Sequence, residues 1–290
     1  MAGVGAGCDT LGERTAYGRP PETKGCPVSV SFHGMPCWYE LTTSDLAAAE
    51  QFYGAVVGWS VADSGMPGMT YHLASAADGV MVAGMSAGMP GEDGQTPCPK
   101  WLVYFACDDC DETAAAASAA VGGVDSPPMD IPGTGRFAIC ADPQGAAFGL
   151  LQPLPMEDEP ASRAFDQEAD GHAAWQELMT SDPVAGVEFY VGLLGWGRGE
   201  SMPMGEMGDY QLVQRSGQDI GGVMALGDAP EPAWMPYFAV PSVQRATAAI
   251  SESGGSVHHG PAEVPGGAHI AIAHDPQGAW FGVFGPLGAS

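Results

Sequence analysis

After about thirty residues that are rich in glycine, proline and charge and show no periodicity, the chain begins to alternate between hydrophobic and polar positions at Met35. A period of two puts Trp38 and Glu40 on one face of a predicted strand and Tyr39 and Leu41 on the other. We therefore expect a mobile N-terminal tail over residues 1–31 and an ordered module that starts at residue 32.

A helix is predicted directly after this strand. Asp45 is a favourable N-cap residue, and apolar positions then recur at helical spacing through Phe52 and Val56 as far as Gly58. Further strands are predicted near 71–74, 80–85, 101–107, 124–131, 137–141 and 146–152, with an alanine-rich helix after the third of them. The pattern predicts two successive βαβββ units.

The whole pattern occurs twice along the chain. The segment Asp142-Pro143-Gln144-Gly145 returns as Asp275-Pro276-Gln277-Gly278, Trp38-Tyr39-Glu40 returns as Trp175-Gln176-Glu177, and Phe52-Tyr53 returns as Phe189-Tyr190. A residue kept in both copies serves the module, whereas a residue found in one copy serves that copy alone. The repeat predicts module 1 over 32–153, a linker over 154–170 and module 2 over 171–290.

The charge of the chain excludes some classes of partner. It has 290 residues, 35 of them acidic and 9 basic, which gives a net charge of −26. Such a surface repels nucleic acid and anionic membranes, so neither is expected as a partner. No apolar stretch approaches the length of a membrane-spanning helix, and no signal-like N-terminus precedes the modules. We expect a cytoplasmic protein.

The seven cysteines form an odd, scattered set that does not indicate a disulfide framework. Cys107 and Cys110 make a CxxC motif and are a candidate redox pair, but the second copy has Val240 and Val243 at these positions. We interpret these cysteines as small apolar residues.

The paired βαβββ units, the Phe-Tyr helix that exits through Gly-Trp, and the terminal Asp-Pro-x-Gly turn resemble the vicinal oxygen chelate superfamily. That superfamily includes glyoxalase I, extradiol dioxygenases and bleomycin-resistance proteins. The resemblance covers about residues 33 to 287. It implies an α+β fold of two tandem modules, each a pair of βαβββ units that forms a curved, mostly antiparallel sheet around a cavity.

Metal-dependent members of this superfamily resemble one another in the positions of their ligands, which lie on the first and last strands. Aligned to their motifs, this chain has Trp38 and Gly149 at those positions in module 1 and Trp175 and Gly282 in module 2. A third position holds Leu102 or Met235. Because a divalent cation needs several N, O or S donors, we expect no metal and no cofactor. His33 and His172 are expected to be capping or surface histidines.

The strand period sends Glu40 and Glu177 into the same cavity as the ligand positions. The half-repeat within each module places Tyr104 and Tyr237 on that face as well. A carboxylate there is a candidate general base or charged anchor, and its alternative role is to accept hydrogen bonds that hold the strands together. Candidate ligand-binding residues are Trp38, Tyr104, Arg136, Trp175, Tyr237 and His269.

Arg136 and His269 belong to this set because they occupy equivalent positions and differ between the copies, although a surface role is the alternative for Arg136. Trp280 replaces Ala147 on the predicted inward face and suggests that module 2 has the smaller cavity.

The sequence favours a metal-independent protein that binds a small apolar or cationic molecule, for sequestration or detoxification, as the bleomycin-resistance branch does. The alternative is a metal-independent isomerase, lyase or cyclase that uses Glu40 or Glu177 as a general base. A metal-dependent lactoylglutathione lyase or dioxygenase comes third. The sequence leaves open the ligand, the existence of turnover and the formation of a homodimer.

Overall fold

A computed structural model describes residues 31–88, 97–154 and 162–288. Apart from residue 31, the predicted N-terminal tail lies outside the described residues. In module 1 the elements are β1 Pro36–Thr43, α1 Leu46–Val56, β2 Ser60–Asp63, β3 Tyr71–Ser75, β4 Met81–Ala87, β5 Lys100–Ala106, α2 Cys110–Ala119, β6 Gly123–Ile131, β7 Gly135–Ala141 and β8 Ala147–Pro153.

Module 2 repeats this order of elements. They are β9 Ala173–Thr180, α3 Pro183–Leu194, β10 Gly197–Pro203, β11 Asp209–Arg215, β12 Gln218–Ala225, β13 Ala233–Ala239, α4 Val243–Glu252, β14 Ser256–Glu263, β15 His269–His274 and β16 Trp280–Gly285. A short 3₁₀ turn at Gly205–Met207 precedes β11.

Each module contains one eight-stranded mixed sheet. The strand order is β2-β3-β4-β1-β5-β8-β7-β6 in module 1 and β10-β11-β12-β9-β13-β16-β15-β14 in module 2. Within module 1, β1 pairs with β4 and β5 pairs with β8 in parallel, while the remaining pairs are antiparallel. The α+β fold of two tandem modules that the sequence predicts is confirmed.

Asp45 and Asp182 cap the N-termini of helices α1 and α3. The side chain of Asp45 accepts a hydrogen bond from the amide of Ala48 at 3.0 Å, and Asp182 accepts one from Ala185 at the same distance. Helix α3 ends at Gly195, which has a positive φ of 67°. The equivalent helix α1 ends one residue before the predicted Gly58, at Val57.

The two modules share one hydrophobic core rather than two separate ones. Aromatic rings meet across the boundary between them: the ring centroids of Trp101 and Phe238 lie 5.0 Å apart, and those of Phe105 and Trp234 lie 5.3 Å apart. Both sheets therefore pack their helix-side faces into a continuous interior, which leaves their opposite, concave faces for a functional site.

The most obvious repeats in the sequence turn out to contact each other across this boundary. The hydroxyl of Tyr53 donates to Asp275 at 3.2 Å, and the hydroxyl of Tyr190 donates to Asp142 at 3.3 Å. Each aspartate also accepts backbone amides of its own turn, such as that of Ala146 at 2.9 Å. The Phe-Tyr and Asp-Pro-Gln-Gly motifs are thus the two sides of one reciprocal interface.

Of the linker predicted over 154–170, residues 155–161 lie outside the described ranges. Ala164 is fully buried, and Phe165 forms a β-bridge with Ala173. His172 is a correction to the expectation of a capping or surface residue, because it is fully buried and its ring binds the carbonyl of Arg163 and the carboxylate of Asp78.

Two further features match the sequence analysis. Cys37, Cys107, Cys110 and Cys140 are buried and free, as expected for small apolar positions. Among the described residues, no helix has both the length and the apolar character needed to cross a membrane.

Candidate functional site

Four side chains on the concave face of module 1 form a hydrogen-bonded chain, which we call the Glu40 tetrad. The indole of Trp38 donates to the hydroxyl of Tyr71 at 3.0 Å. The hydroxyls of Tyr71 and Tyr104 both donate to Oε2 of Glu40, at 3.3 and 3.4 Å. Strands β1, β3 and β5 supply these residues, and the pairing of β1 with β5 puts Trp38 beside Tyr104.

Module 2 contains the same arrangement, which we call the Glu177 tetrad. The indole of Trp175 donates to Tyr210 at 2.8 Å, and Tyr237 donates to Oε1 of Glu177 at 3.3 Å. Tyr210 also hydrogen-bonds this carboxylate. The predicted residues Trp38, Glu40 and Tyr104, with Trp175, Glu177 and Tyr237, are therefore brought together as two matched groups.

Burial sets the protonation of both tetrads. It raises the pKa of the Glu40 and Glu177 carboxyls above their ordinary value, and the phenol hydrogen bonds partly oppose this shift. Burial, together with the adjacent carboxylate, also raises the pKa of Tyr71 and Tyr104. The phenols consequently remain protonated donors at neutral pH, while the carboxylates are more basic than exposed ones.

The tyrosine rings explain why Gly149 and Gly282, which the superfamily resemblance aligns with a metal-ligand position, are glycines. A Cβ atom added to Gly149 would lie 2.0 Å from the ring of Tyr104, and one added to Gly282 would lie 2.0 Å from the ring of Tyr237. Across the sheet, Cβ atoms on Gly84 and Gly222 would collide with Tyr71 and Tyr210 in the same way. An aromatic ring thus fills the space that a side chain would need at each of these four glycines.

The donor set at these positions does not fit a metal ion. The indole N–H of Trp38 already donates a hydrogen bond to Tyr71 and offers no lone pair to a metal. Gly149 has no side chain, and Leu102 is apolar. Within the described ranges, no group of three or more His, Cys, Asp or Glu side chains is arranged to hold a metal.

The surroundings of the two carboxylates differ. Glu40 is partly exposed, and partly buried apolar side chains of Leu102, Phe137 and Leu151 pack on the same face. Glu177 is only 7 % exposed. Module 1 therefore has the more accessible tetrad.

Two surface depressions lie away from both tetrads. One is lined by Met35, Phe165, Asp166, Gln167, Glu168 and Gln218, and the other by residues of the β6–β7 turn with Arg136 and Gln152. Neither contains a residue of the tetrads.

Arg136 and His269 are not brought to the tetrads. Arg136 lies on the helix-side face of β7, where its guanidinium makes two hydrogen bonds to Asp111 at 2.6 and 2.9 Å and one to Asp130 at 2.8 Å. His269 starts β15 on the face of the buried Ala271, and its Nδ1 is buried without a hydrogen-bond partner. These two residues belong to the opposite side of the sheet from Glu40 and Glu177.

Tyr71 and Tyr210 are functional candidates that the sequence analysis missed. Tyr71 is the first residue of β3 and Tyr210 the second residue of β11, each in the pattern Tyr-x-Leu, and each ring lies against a glycine that is kept in both copies, Gly84 or Gly222. That paired occurrence of tyrosine and glycine is the signal that could have identified them.

Comparison with known proteins agrees with this architecture. The model of the Glyoxalase/Bleomycin resistance protein/Dioxygenase superfamily matches residues 37–150 and again residues 171–283. CFP32 of Mycobacterium tuberculosis, named as a candidate glyoxylase, is 32 % identical over 87 % of this chain and 95 % of its own length. The anthracycline biosynthesis protein DnrV of Streptomyces peucetius is 32 % identical over 86 % of this chain and 92 % of its own.

Solved structures show the same fold at lower identity. A Mn(II)-bound glyoxalase from Novosphingobium aromaticivorans superposes with a TM-score of 0.62 at 17 % identity, covering 88 % of this chain and 83 % of that one. The 2,3-dioxygenase LapB from Pseudomonas superposes with a TM-score of 0.59 at 16 % identity, covering 88 % and 93 %.

Proposed function

The chain belongs to the Glyoxalase/Bleomycin resistance protein/Dioxygenase superfamily, and from that membership we propose that its module 1 binds a small apolar or cationic molecule on the concave face without a metal. The partly exposed carboxylate of Glu40, set among apolar side chains, carries this proposal. A few polar groups on an apolar surface are typical of small-molecule sites. The protein would then sequester or detoxify this molecule in the cytoplasm.

Charge supports a cationic or neutral ligand over an anionic one. The net charge of −26 disfavours the approach of anions, and the only carboxylate of the Glu40 tetrad is placed to pair with a cation. Trp38 and the rings of Tyr71 and Tyr104 add aromatic faces, which attract cations as well as apolar groups. The name of DnrV, an anthracycline biosynthesis protein, supports a small organic molecule as the ligand.

A metal-independent isomerase, lyase or cyclase is a second candidate function, and the raised pKa of Glu40 favours it. In that case the Glu40 carboxylate accepts a proton from an acidic C–H group of the substrate, and the same carboxyl returns the proton at another position. The hydroxyls of Tyr71 and Tyr104 hold the carboxylate in place and are the donors nearest to the reacting group.

The substitution Glu40→Gln separates these functions, with Glu177→Gln as the matched control in the less accessible tetrad. If Glu40 anchors a cation, Glu40→Gln weakens binding about tenfold or more, because a charge-assisted contact is lost. If Glu40 is a base, the variant loses turnover and keeps its affinity within about tenfold, because shape and most polar contacts survive.

Ligands for this test come from a thermal-shift screen of small cationic and neutral aromatic compounds, followed by calorimetry. We expect Glu177→Gln to bind as the unmodified protein does. Equal binding and equal turnover in the unmodified protein, Glu40→Gln and the double variant would show that both glutamates serve the scaffold alone.

A further inference from the structure

Module 2 carries an exposed cluster of three aromatic rings from three neighbouring strands: His258 on β14, His274 on β15 and Trp280 on β16. The ring centroid of His258 lies 4.4 Å from that of Trp280 and 4.8 Å from that of His274, and the third distance is 5.7 Å. Trp280 is 43 % exposed and is the only aromatic among the exposed large hydrophobic residues of the described ranges.

The cluster lies on the concave face, beside the Glu177 tetrad. Trp280 and Gly282 are two residues apart on β16 and so share a face, and Gly282 lies against the ring of Tyr237. Trp280 lies on the predicted face of the sheet, but its indole is 43 % exposed and does not fill a cavity.

An irregularity of the backbone directs His258 into this cluster. The pairing of β14 with β15 shifts register between Val257 and His259, so that His258 is the extra residue of a β-bulge. Module 1 has the same register shift, between Val124 and Ser126. The bulge belongs to the architecture of the module, and only the side chain that it carries differs.

Module 1 shows that the rings are not required by the sheet. At the positions of His258, His274 and Trp280 it has Asp125, Ala141 and Ala147, and the strands pair in the same order. Because module 1 forms the same sheet with alanine at this position, the fold does not require the indole, which is 43 % exposed.

We propose that this cluster is a stacking site for a flat aromatic molecule that carries a phenolic hydroxyl. The exposed indole offers a π-surface, and aromatic pairs in offset or edge contact are favourable beyond the area that they bury. The Nδ1–H group of His274 donates to the backbone carbonyl of Asp275 at 2.8 Å. Because Nδ1 carries the hydrogen in this bond, the other ring nitrogen, Nε2, is the one that can accept a hydrogen bond from a ligand hydroxyl.

The proposal concerns a second site, which is independent of Glu40. Both modules have a carboxylate with phenols on the concave face, and only module 2 adds an imidazole-flanked indole beside it. Failure of one proposal consequently leaves the other intact.

The test uses the full chain and a pair of probes, 2-naphthol and decahydro-2-naphthol, which share a hydroxyl and a similar size but differ in planarity. Calorimetry on the unmodified protein should show tighter binding of 2-naphthol. Trp280→Ala, which introduces the residue of module 1, should weaken 2-naphthol binding about fivefold or more and leave decahydro-2-naphthol binding unchanged.

His274→Ala should weaken 2-naphthol binding and remove the preference for it over 2-methoxynaphthalene, which has no proton to donate. The melting temperatures of both variants should stay near that of the unmodified protein, because module 1 tolerates alanine at each position. Equal affinity of Trp280→Ala and the unmodified protein for 2-naphthol, or equal affinity of the unmodified protein for the planar and saturated probes, would overturn the proposal.

Discussion

Single glycines determine where the two tetrads can form. Gly149 and Gly282 are kept in both copies because a tyrosine ring lies where their side chain would be, 2.0 Å from an added Cβ atom. In many proteins a repeated glycine marks a turn with positive φ, but these two lie inside strands. Their presence in both copies thus reports on the tyrosines that hydrogen-bond Glu40 and Glu177.

Gly149→Ala should destabilise the protein by about 1–3 kcal/mol, because the new methyl group overpacks against Tyr104. Displacing the ring should also break its hydrogen bond to Glu40. The control is Gly192→Ala in helix α3, where an added Cβ atom meets nothing within 4 Å. That change should be neutral or stabilising, since alanine favours helix. Chemical denaturation measures both, and equal stability of the two variants would contradict the account.

The carboxyl groups make stability depend on pH. Burial raises the pKa of Glu177 in the folded state. The free energy of unfolding is therefore larger at low pH, where this carboxyl is protonated. This extra stability is lost as the pH rises from about 4.3, the ordinary pKa of glutamate, through the raised pKa of the folded state. Glu177→Gln removes this titration. The free energy of unfolding of the variant, relative to the unmodified protein, should therefore increase between pH 5 and pH 8.

Urea unfolding at these two pH values measures the effect. A difference for Glu177→Gln that is the same at pH 5 and pH 8 would mean that this carboxyl is not perturbed by burial.

At the scale of elements, two of the motifs that identify the repeat, Phe-Tyr and Asp-Pro-Gln-Gly, contact each other between the modules, whereas the Trp-x-Glu motif supplies residues of the site. Tyr53 of helix α1 donates to Asp275 and accepts from the indole of Trp101 at 2.9 Å, and Tyr190 repeats this with Asp142 and Trp234. A sequence repeat shows that a residue matters to the module, and the structure is needed to tell an interface from a binding site.

Tyr53→Phe should lower stability by about 1–3 kcal/mol, because it leaves a buried indole N–H and a buried carboxylate without their shared partner. Tyr190→Phe is the matched change on the other side of the interface and should cost a similar amount. Thermal melting measures both variants. If neither variant lowers the melting temperature, the reciprocal hydrogen bonds do not stabilise the contact between modules.

Much of the fold and part of the site could be predicted from the sequence. Periodicity and the repeat give the βαβββ units, and the half-repeat within module 1 places Tyr104 on the face of Glu40. Periodicity alone does not place Tyr71, because β3 is partly buried on both faces and lacks a clear alternation, and only its pairing with a repeated glycine could have identified it. Arg136 was hard to assign, because its partner Asp111 lies on a helix that only the folded sheet brings near.

At the scale of the whole molecule, one core joins two modules whose concave faces have diverged. The shared interior keeps the repeated tyrosines, tryptophans and aspartates, and the concave faces differ in that Trp280 stands where module 1 has Ala147 and Glu40 is more exposed than Glu177. We propose that the Glu40 tetrad takes the place of a metal centre.

Ligand-dependent thermal stabilisation in the presence of a chelator tests this claim most directly. The protein is stripped with EDTA, its metal content is checked by elemental analysis, and its melting temperature is measured with and without a compound that binds the unmodified protein. The account predicts that stabilisation persists in EDTA for the unmodified protein and for Glu177→Gln, and is reduced for Glu40→Gln. Stabilisation that vanishes in EDTA and returns with about one divalent metal ion per module would contradict it.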